Sequence, residues 1–127
     1  MERIRHRADF LAAAGGKRAS APAFLLQCRE RDDRGPARVG FTVTRKIGNA
    51  VERNRIRRRL REVIRLGAAL PDRLHLRPHH DYVLIGRRAA LSRDFTDLMA
   101  DLHAVLGRLA RQSGASSSTQ ANRPETT

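Results

Sequence analysis

The residues with the clearest chemical capacity are arginines in the middle of the chain. Between Arg38 and Arg65, ten residues are basic and two are acidic, so 28 residues carry a net +8 of the chain's formal +13. Arginine binds phosphate through two parallel hydrogen bonds and stacks on nucleobases. Four arginines recur at every fourth position, which on a helix places like charges side by side. This spacing predicts that one surface of a helix binds a polyanion. That surface is formed by Arg53, Arg57, Arg61 and Arg65.

A helix over about residues 50–66 is needed to carry these arginines. Asn49 is suited to be its N-cap, and Glu52, three residues later, approximates a capping box. Gly67 is expected at the C′ position. On a helical wheel an apolar face adjoins a polar stripe, although an ordinary solvated helix is the alternative. The face comprises Ile56, Leu60, Val63 and Ile64, and the stripe Asn54, Arg57, Arg58, Arg61 and Arg65.

The remaining pattern predicts one domain over residues 1–111. Residues 1–7 are polar and expected to fray, and a short helix over 9–14 ends at Gly15-Gly16. Strands over 23–29 and 39–44 should pair as an antiparallel hairpin across the turn at 32–36. The apolar run 82–85 reads as a central strand covered on both faces. An amphipathic helix over 94–111 follows, and the Ser- and Thr-rich residues 112–127 are expected to be a disordered tail.

The composition favours a nucleic-acid partner. A net charge of +13 and a pI near 11.7 attract polyanions. An anionic membrane is the competing partner, but no apolar run approaches 18 residues. No secretory signal pattern is visible and Cys28 is a single cysteine, expected to be a buried thiol, so we expect a cytoplasmic protein.

Enzyme motifs are not evident in the sequence. There is no glycine-rich nucleotide loop, nucleophile elbow or paired-carboxylate motif, so neither a catalytic side chain nor a small-molecule substrate is expected. His75, His79 and His80 lie near Asp81, but adjacent histidines on a loop seldom converge on one ion. A dedicated metal site is therefore not predicted.

The stretch from Gly40 to Glu62, GFTVTRKIGNAVERNRIRRRLRE, resembles the signature of the bacterial ribonuclease P protein component. Arg53-Asn54-Arg55 matches the family's RNR motif, which continues through Arg57, Arg58 and Arg61. Weaker similarity extends from about residue 7 to residue 109. The resemblance implies an α/β (α+β) two-layer sandwich, a small mixed sheet with three helices, similar to the second domain of ribosomal protein S5. It also implies a left-handed βαβ crossover, against the usual right-handed preference.

The resemblance further implies a protein subunit that assists a large catalytic RNA. In the family, that RNA with Mg²⁺, bound mainly by the RNA, removes the 5′ leader of precursor tRNA by hydrolysis. The expected partners are thus ribonuclease P RNA and precursor tRNA, with no catalytic residue on the protein. The residues carried over to the RNA contact are Arg45, Lys46, Asn49, Arg53, Asn54, Arg57, Arg58 and Arg61.

The family also holds the single-stranded leader between the first helix and a sheet face, where aromatic side chains stack bases. Phe10 matches the first such position, although it is equally suited to anchor the helix in the core. The next helical turn has Ala14, and Gln27 stands where some members carry an aromatic residue. Arg87 follows the third predicted strand and could reach RNA, with a plain surface role as the alternative.

Two other function classes compete. A ribosomal or chaperone-like structural protein could use the same basic helix on ribosomal RNA. A protein-only nuclease would need clustered carboxylates for metal-assisted hydrolysis, whereas the 13 acidic residues are scattered along the chain.

Overall fold

The computed structural model describes residues 2–69 and 76–118, with the course of the helix alone for residues 113–118. A five-stranded mixed sheet forms the centre, in the order β1-β4-β5-β3-β2. Strand β4 runs parallel to β1 and β5, whereas β3 runs antiparallel to β5 and β2. The strands are Glu2–Arg3, Lys17–Ser20, Phe24–Glu30, Arg38–Thr42 and His80–Gly86 (β1 to β5), and the helices are Arg7–Ala14, Ala50–Ala68 and Phe95–Ser118 (α1 to α3).

The sheet packs one face against α2 and α3 and part of the other against α1, which confirms the predicted α+β class. On β5, Tyr82 and Leu84 belong to the core under α2 and α3, whereas Val83 and Ile85 belong to the cluster under α1. Alternate side chains of a strand point to opposite faces, so a strand covered on both faces is apolar throughout. The prediction of a central apolar strand is therefore confirmed.

The larger core lies between the sheet and the two long helices. The apolar face predicted for α2 is buried, and α3 contributes five buried aliphatic side chains at helical spacing. The edge strand β2 is covered by α3, whose Arg108 and Gln112 donate to the carbonyl oxygens of Ser20 and Arg18. The buried residues of these helices are Ile56, Leu60, Val63, Ile64, Leu98, Leu102, Val105, Leu106 and Leu109.

The smaller cluster holds α1 on the opposite sheet face. Ala13 and Val83 are buried, and Phe10 packs beside them. A Cβ at Gly40 would lie 2.6 Å from Cε1 of the Phe10 ring, so this position of β4 must be glycine for the ring to approach so closely. Since Phe10 lies over β4 and Ala13 over β5, α1 crosses the strands.

The antiparallel hairpin predicted between the strands over 23–29 and 39–44, which correspond to β3 and β4, is wrong. The strands β3 and β4 flank β5, which pairs with both of them. The hairpin was inferred from closeness in sequence, but the apolar strand β5 buries more surface when it occupies the centre. The chain between β4 and β5 passes through α2, so these strands form a parallel βαβ unit; the left hand of this crossover stays a prediction.

Four further expectations about element ends are corrected. Residues 1–7 are not simply frayed, because Glu2–Arg3 pairs with β4 and Ile4 is only 4% exposed in the α1 cluster. Helix α1 begins at Arg7, two residues earlier than predicted. Gly67 is a buried residue inside α2, which extends to Ala68 and is capped by Ala69. Helix α3 runs on to Ser118, into the segment predicted to be a disordered tail. Residues 70–75 and 119–127 lie outside the described part of the chain.

Candidate nucleic-acid interface

The start of α2 is fixed by reciprocal hydrogen bonds. The Asn49 Oδ1 accepts from the Glu52 amide at 2.9 Å, and Glu52 Oε1 accepts from the Asn49 amide at 3.0 Å, so the predicted capping box is confirmed. Arg88, in a 3-10 turn over Arg88–Leu91, donates to Glu52 Oε2 at 2.8 Å and to the Ile47 carbonyl at 2.9 Å. The hydrogen bond from Arg88, and then that from the Asn49 amide, lower the pKa of Glu52.

This capping arrangement orients the segment before α2. The 3-10 turn Arg45–Ile47 presents Arg45 and Lys46 to solvent. Because the oxygen of the exposed Asn49 side chain accepts the capping bond, the NH₂ group of that side chain is left as a donor outside the cap. The segment thus offers two cations and one neutral donor beside the amino end of a helix, where the dipole favours anions.

The arginine stripe on α2 is exposed and keeps its charge. Within residues 2–69 and 76–112, none of the eight residues predicted to contact RNA forms an ion pair. The two acidic residues of α2 are already engaged, Glu52 by Arg88 and Glu62 by Arg65. Apart from Arg65, the stripe therefore presents positive charge that no ion pair of the described residues compensates. Of the eight predicted contact residues, Arg53 and Arg57 are half-buried and the others are exposed: Arg45, Lys46, Asn49, Asn54, Arg58 and Arg61.

Three arginines of the stripe are oriented by a single contact each. Arg53 donates to the Gly48 carbonyl at 2.7 Å, and Arg57 donates to Asn54 Oδ1 at 2.8 Å. The Arg61 guanidinium lies 5.6 Å from the centroid of the Phe41 ring, within cation–π distance. Each guanidinium keeps further N–H groups for a ligand, and the loss of side-chain entropy on binding is reduced because the rotamer is already restrained.

Arg59 serves the fold instead. It donates to the carbonyl oxygens of Ala90 at 3.1 Å, Leu91 at 3.0 Å and Arg93 at 2.7 Å. These bonds attach α2 to the turn that precedes α3. The wheel already separated Arg59 from the stripe, since it lies on the other side of the apolar face.

The three predicted leader-binding residues are only partly brought together. Phe10 and Gln27 share the α1 face of the sheet, where the register places Gly40, Val83 and Gln27 side by side. Phe10 is half-buried with its ring edge against Gly40, and Gln27 is buried, so only part of the Phe10 ring remains accessible. The Arg87 guanidinium donates to the Ala21 carbonyl at 2.9 Å, which ties it to the loop between β2 and β3.

A row of half-exposed side chains on the same sheet face was missed by the sequence reasoning. The register aligns Thr42, Ile85 and Leu25 across β4, β5 and β3. On α1, Leu11 is 61% exposed. Alternation along β3 and β5 is the signal that could have found this row, because Leu25 and Ile85 occupy the odd positions of apolar strands.

A buried carboxylate, Asp81, lies near the start of β5, and the only sequence signal for it is an acidic residue directly before an apolar run. Asp81 is 0% exposed and accepts hydrogen bonds from Arg31 at 2.7 Å, from Arg38 at 2.8 Å through both oxygens, and from Arg29 at 3.1 Å. Arg29 also donates to Asp9 of α1 at 2.9 Å. Burial raises the pKa of Asp81, but the bonds from Arg38, Arg31 and Arg29 outweigh burial and hold this pKa below its usual value.

The described residues offer no metal site at the histidines. They contain no group of three or more His, Cys, Asp or Glu placed to hold an ion. Asp81 is occupied by arginines and His80 Nδ1 lies 2.8 Å from the Pro78 carbonyl. His75 lies outside the described residues. Cys28 is buried as expected, and burial raises the pKa of its thiol to about 11. Within the described residues no helix is long and apolar enough to cross a membrane.

Comparisons with known proteins agree with this geometry. A family model described as Ribonuclease P matches residues 1–110. The ribonuclease P protein component of Caulobacter vibrioides is 51% identical over 110 residues, which cover 86% of this chain and 71% of that protein. The component of Gluconacetobacter diazotrophicus is 47% identical over 105 residues, covering 82% and 87% of the two chains.

Solved structures give the same result. The RNase P protein from Thermotoga maritima superposes with a TM-score of 0.66 at 29% identity, over 87% of this chain and 97% of that one. The RNase P protein of Staphylococcus aureus gives a TM-score of 0.67 at 26% identity, over 84% and 94%. With a model match that spans most of the chain and relatives near 50% identity, this chain belongs to the ribonuclease P protein family.

Proposed function

We propose that this chain is the protein subunit of a cytoplasmic ribonuclease P that trims the 5′ leader from precursor tRNA. In this role it binds the catalytic RNA through α2 and the preceding turn, and the RNA, with its Mg²⁺, carries out the hydrolysis. The membership of the family supports the assembly with RNA. The observation that carries the proposal is the arginine stripe, in which Arg57, Arg58 and Arg61 form no ion pair with the described residues and only Arg65 is paired, with Glu62.

The energetics of α2 favour an RNA ligand. Like charges spaced by four residues cost the free helix a few tenths of a kcal/mol per pair. A phosphate backbone along the stripe replaces that repulsion with attraction and releases condensed counterions, which dominates protein–nucleic acid affinity. A helix with mixed charges on its outer face would gain much less from the same ligand.

The chemistry is assigned to the RNA because the described carboxylates form no cluster placed to hold a metal ion. Metal-assisted hydrolysis requires carboxylates grouped around an ion. Of the described acidic residues, six form ion pairs with arginines, which occupies the oxygens that a metal would need. These residues are Asp9, Asp33, Glu52, Glu62, Asp81 and Asp101.

The leader is proposed to lie in a groove on the α1 side of the sheet. Its floor is the row of Thr42, Ile85 and Leu25, and its wall is the flank of α1 that carries Leu11. With Phe10 packed on Gly40, base contacts in this groove are made mainly by aliphatic side chains. We therefore expect this subunit to hold a leader without extended aromatic stacking.

The experiment that tests the RNA interface is an equilibrium titration of the catalytic RNA with the variant Arg57→Ala/Arg61→Ala. Affinity should fall by about 1–3 kcal/mol, the contribution expected for lost charge-assisted hydrogen bonds. The matched control is Arg34→Ala/Arg111→Ala, which removes the same charge from exposed positions outside α2. An equal fall for both variants would mean that total charge, and not the stripe, sets the affinity.

Two further measurements separate this proposal from its competitors. Magnesium-dependent cleavage of precursor tRNA should require the RNA subunit, so protein freed of all RNA should be inactive. RNA that co-purifies with the chain should be one structured species of a few hundred nucleotides. Recovery of ribosomal RNA alone would instead indicate a ribosomal protein.

A further inference from the structure

The buried Asp81 accepts hydrogen bonds from three arginines, and two of these arginines extend the hydrogen-bond network to α1. Arg29 links Asp81, at 3.1 Å, to Asp9, at 2.9 Å. Arg38 makes the same link, with its Nη2 at 2.8 Å from Asp81 and 3.4 Å from Asp9. A fully buried group in the sheet is thereby connected through two guanidinium groups to the first turn of a surface helix.

Helix α1 depends on such contacts for its position. It has eight residues, and its N-cap His6 makes no capping bond through its side chain. A helix of this length is not stable alone, so tertiary contacts must place it. Phe10 and Ala13 hold it to the sheet along a single stripe, an arrangement that leaves the helix able to roll about its axis.

The Asp9 link acts against this roll. At 100° per residue, Asp9 lies on one side of the stripe formed by Phe10 and Ala13, and Ala14 and Leu11 lie on the other side. Along β5, Asp81, Val83 and Ile85 follow one another on the α1 face. The flank of α1 that carries Asp9 faces Asp81, so the flank that carries Ala14 faces Ile85.

We propose that Asp9, through Arg29, Arg38 and Asp81, is a positioning residue that sets the width of the groove between the Ala14 flank of α1 and the row of Thr42, Ile85 and Leu25. The inference rests on the proposed function, in which single-stranded leader RNA lies in this groove. Asp9 itself faces away from the groove, so its effect on the leader passes through the roll of the helix.

Electrostatics gives this proposal a distinctive sign. Replacing Asp9 by Asn adds one positive charge to the protein, which on its own strengthens binding of any polyanion. Loss of the positioning link weakens binding of the leader alone. A fall in leader affinity upon Asp9→Asn therefore runs against the direct charge effect.

The test uses the reconstituted holoenzyme and two substrates, precursor tRNA with a single-stranded leader and the same tRNA without it. The measured quantity is the affinity for tRNA with the leader divided by the affinity for tRNA without it, determined for wild type and for Asp9→Asn. The control is Asp101→Asn, because Asp101 also accepts from an arginine, Arg93, and its side chain is 16% exposed against 19% for Asp9. Thermal melts set an assay temperature well below all melting midpoints.

The ratio should fall by about 2- to 30-fold for Asp9→Asn, the range for mutations that act through a network, and stay unchanged for Asp101→Asn. Arg29→Gln removes the shorter of the two arginine contacts to Asp9 and should lower the ratio in the same direction if Asp9→Asn folds poorly. If wild type prefers the leader and both variants keep that preference, the positioning role is overturned while the proposed function stands. If wild type itself shows no preference for the leader, the leader groove and the positioning role are overturned together.

Discussion

Replacing Asp81 with Asn tests a fully buried carboxylate that accepts hydrogen bonds from three arginines. The side chains are nearly the same size, so the substitution changes charge and hydrogen bonding with little change in packing. One carboxylate oxygen becomes an NH₂ group that faces guanidinium donors. The buried Arg31, 5% exposed, and the half-buried Arg29 and Arg38 lose their shared counter-charge.

The expected loss is large because all four hydrogen bonds to Asp81 come from charged donors to a fully buried group. Removing one partner from a buried ion pair costs about 3–5 kcal/mol. Here three guanidinium groups lose their fully buried acceptor and, among the described residues, keep only the more exposed Asp9 and Asp33 as acidic partners. A single domain has only about 5–15 kcal/mol of total stability. For a domain of this size the loss corresponds to a fall in melting temperature of roughly 10–30 °C.

The assay is urea unfolding at neutral pH, compared with Asp33→Asn. Asp33 also accepts from Arg31, at 2.9 Å, but its side chain is 59% exposed, so solvent compensates for its loss. Asp33→Asn should therefore cost only a small part of what Asp81→Asn costs. If the two variants lost the same stability, burial would not govern the strength of this network and the reasoning would be refuted.

Three further outcomes follow from the described contacts. The folded-state pKa of Asp81 is held low, so its contribution to stability is complete above the unfolded carboxyl pKa of about 4 and declines as the pH falls below that value. Urea unfolding between pH 7 and pH 3 should show this fall in stability, and Asp81→Asn should flatten it. Arg59→Ala should destabilise the fold by about 1–3 kcal/mol because three carbonyl oxygens lose a charged donor, whereas its exposed neighbour Arg58→Ala should change stability by less than about 0.5 kcal/mol in the same melts. Affinity for the catalytic RNA should fall with salt at a log–log slope of roughly −4 to −7, as expected when about six to eight phosphates are neutralised; a slope near −1 would exclude the arginine stripe as the interface.

The parts of the fold that could be predicted from sequence are those with strong local signals. The apolar face and capping box of α2, the apolar run 82–85 of strand β5 and the inner face of α3 each follow from spacing within one element. The arginine stripe was found in the same way, because its members lie on one helix. Local periodicity thus located the candidate RNA surface before any tertiary contact was known.

The features that sequence reasoning missed depend on residues far apart in the chain. The pairing of β5 between β3 and β4 joins segments separated by some 40–60 residues, so nearness in sequence suggested the wrong hairpin. Strand β1 has two residues, and only the single apolar Ile4 among charges hinted at burial. The Asp81 network draws on α1, β3, β4 and β5, and no spacing rule identifies which arginines a buried acid will meet.

The central place of β5 has a consequence for how the chain is made. During synthesis β3 and β4 leave the ribosome first, yet each has its main partner in a strand that begins at His80. By the time β5 is made, the basic helix α2 has already emerged, and its apolar face cannot yet pack against the completed sheet. Because long-range pairing must wait for loop closure, such topologies fold slowly. A chain stopped before β5 therefore lacks a foldable sheet, and it exposes a strongly basic helix without the scaffold that gives that helix its orientation.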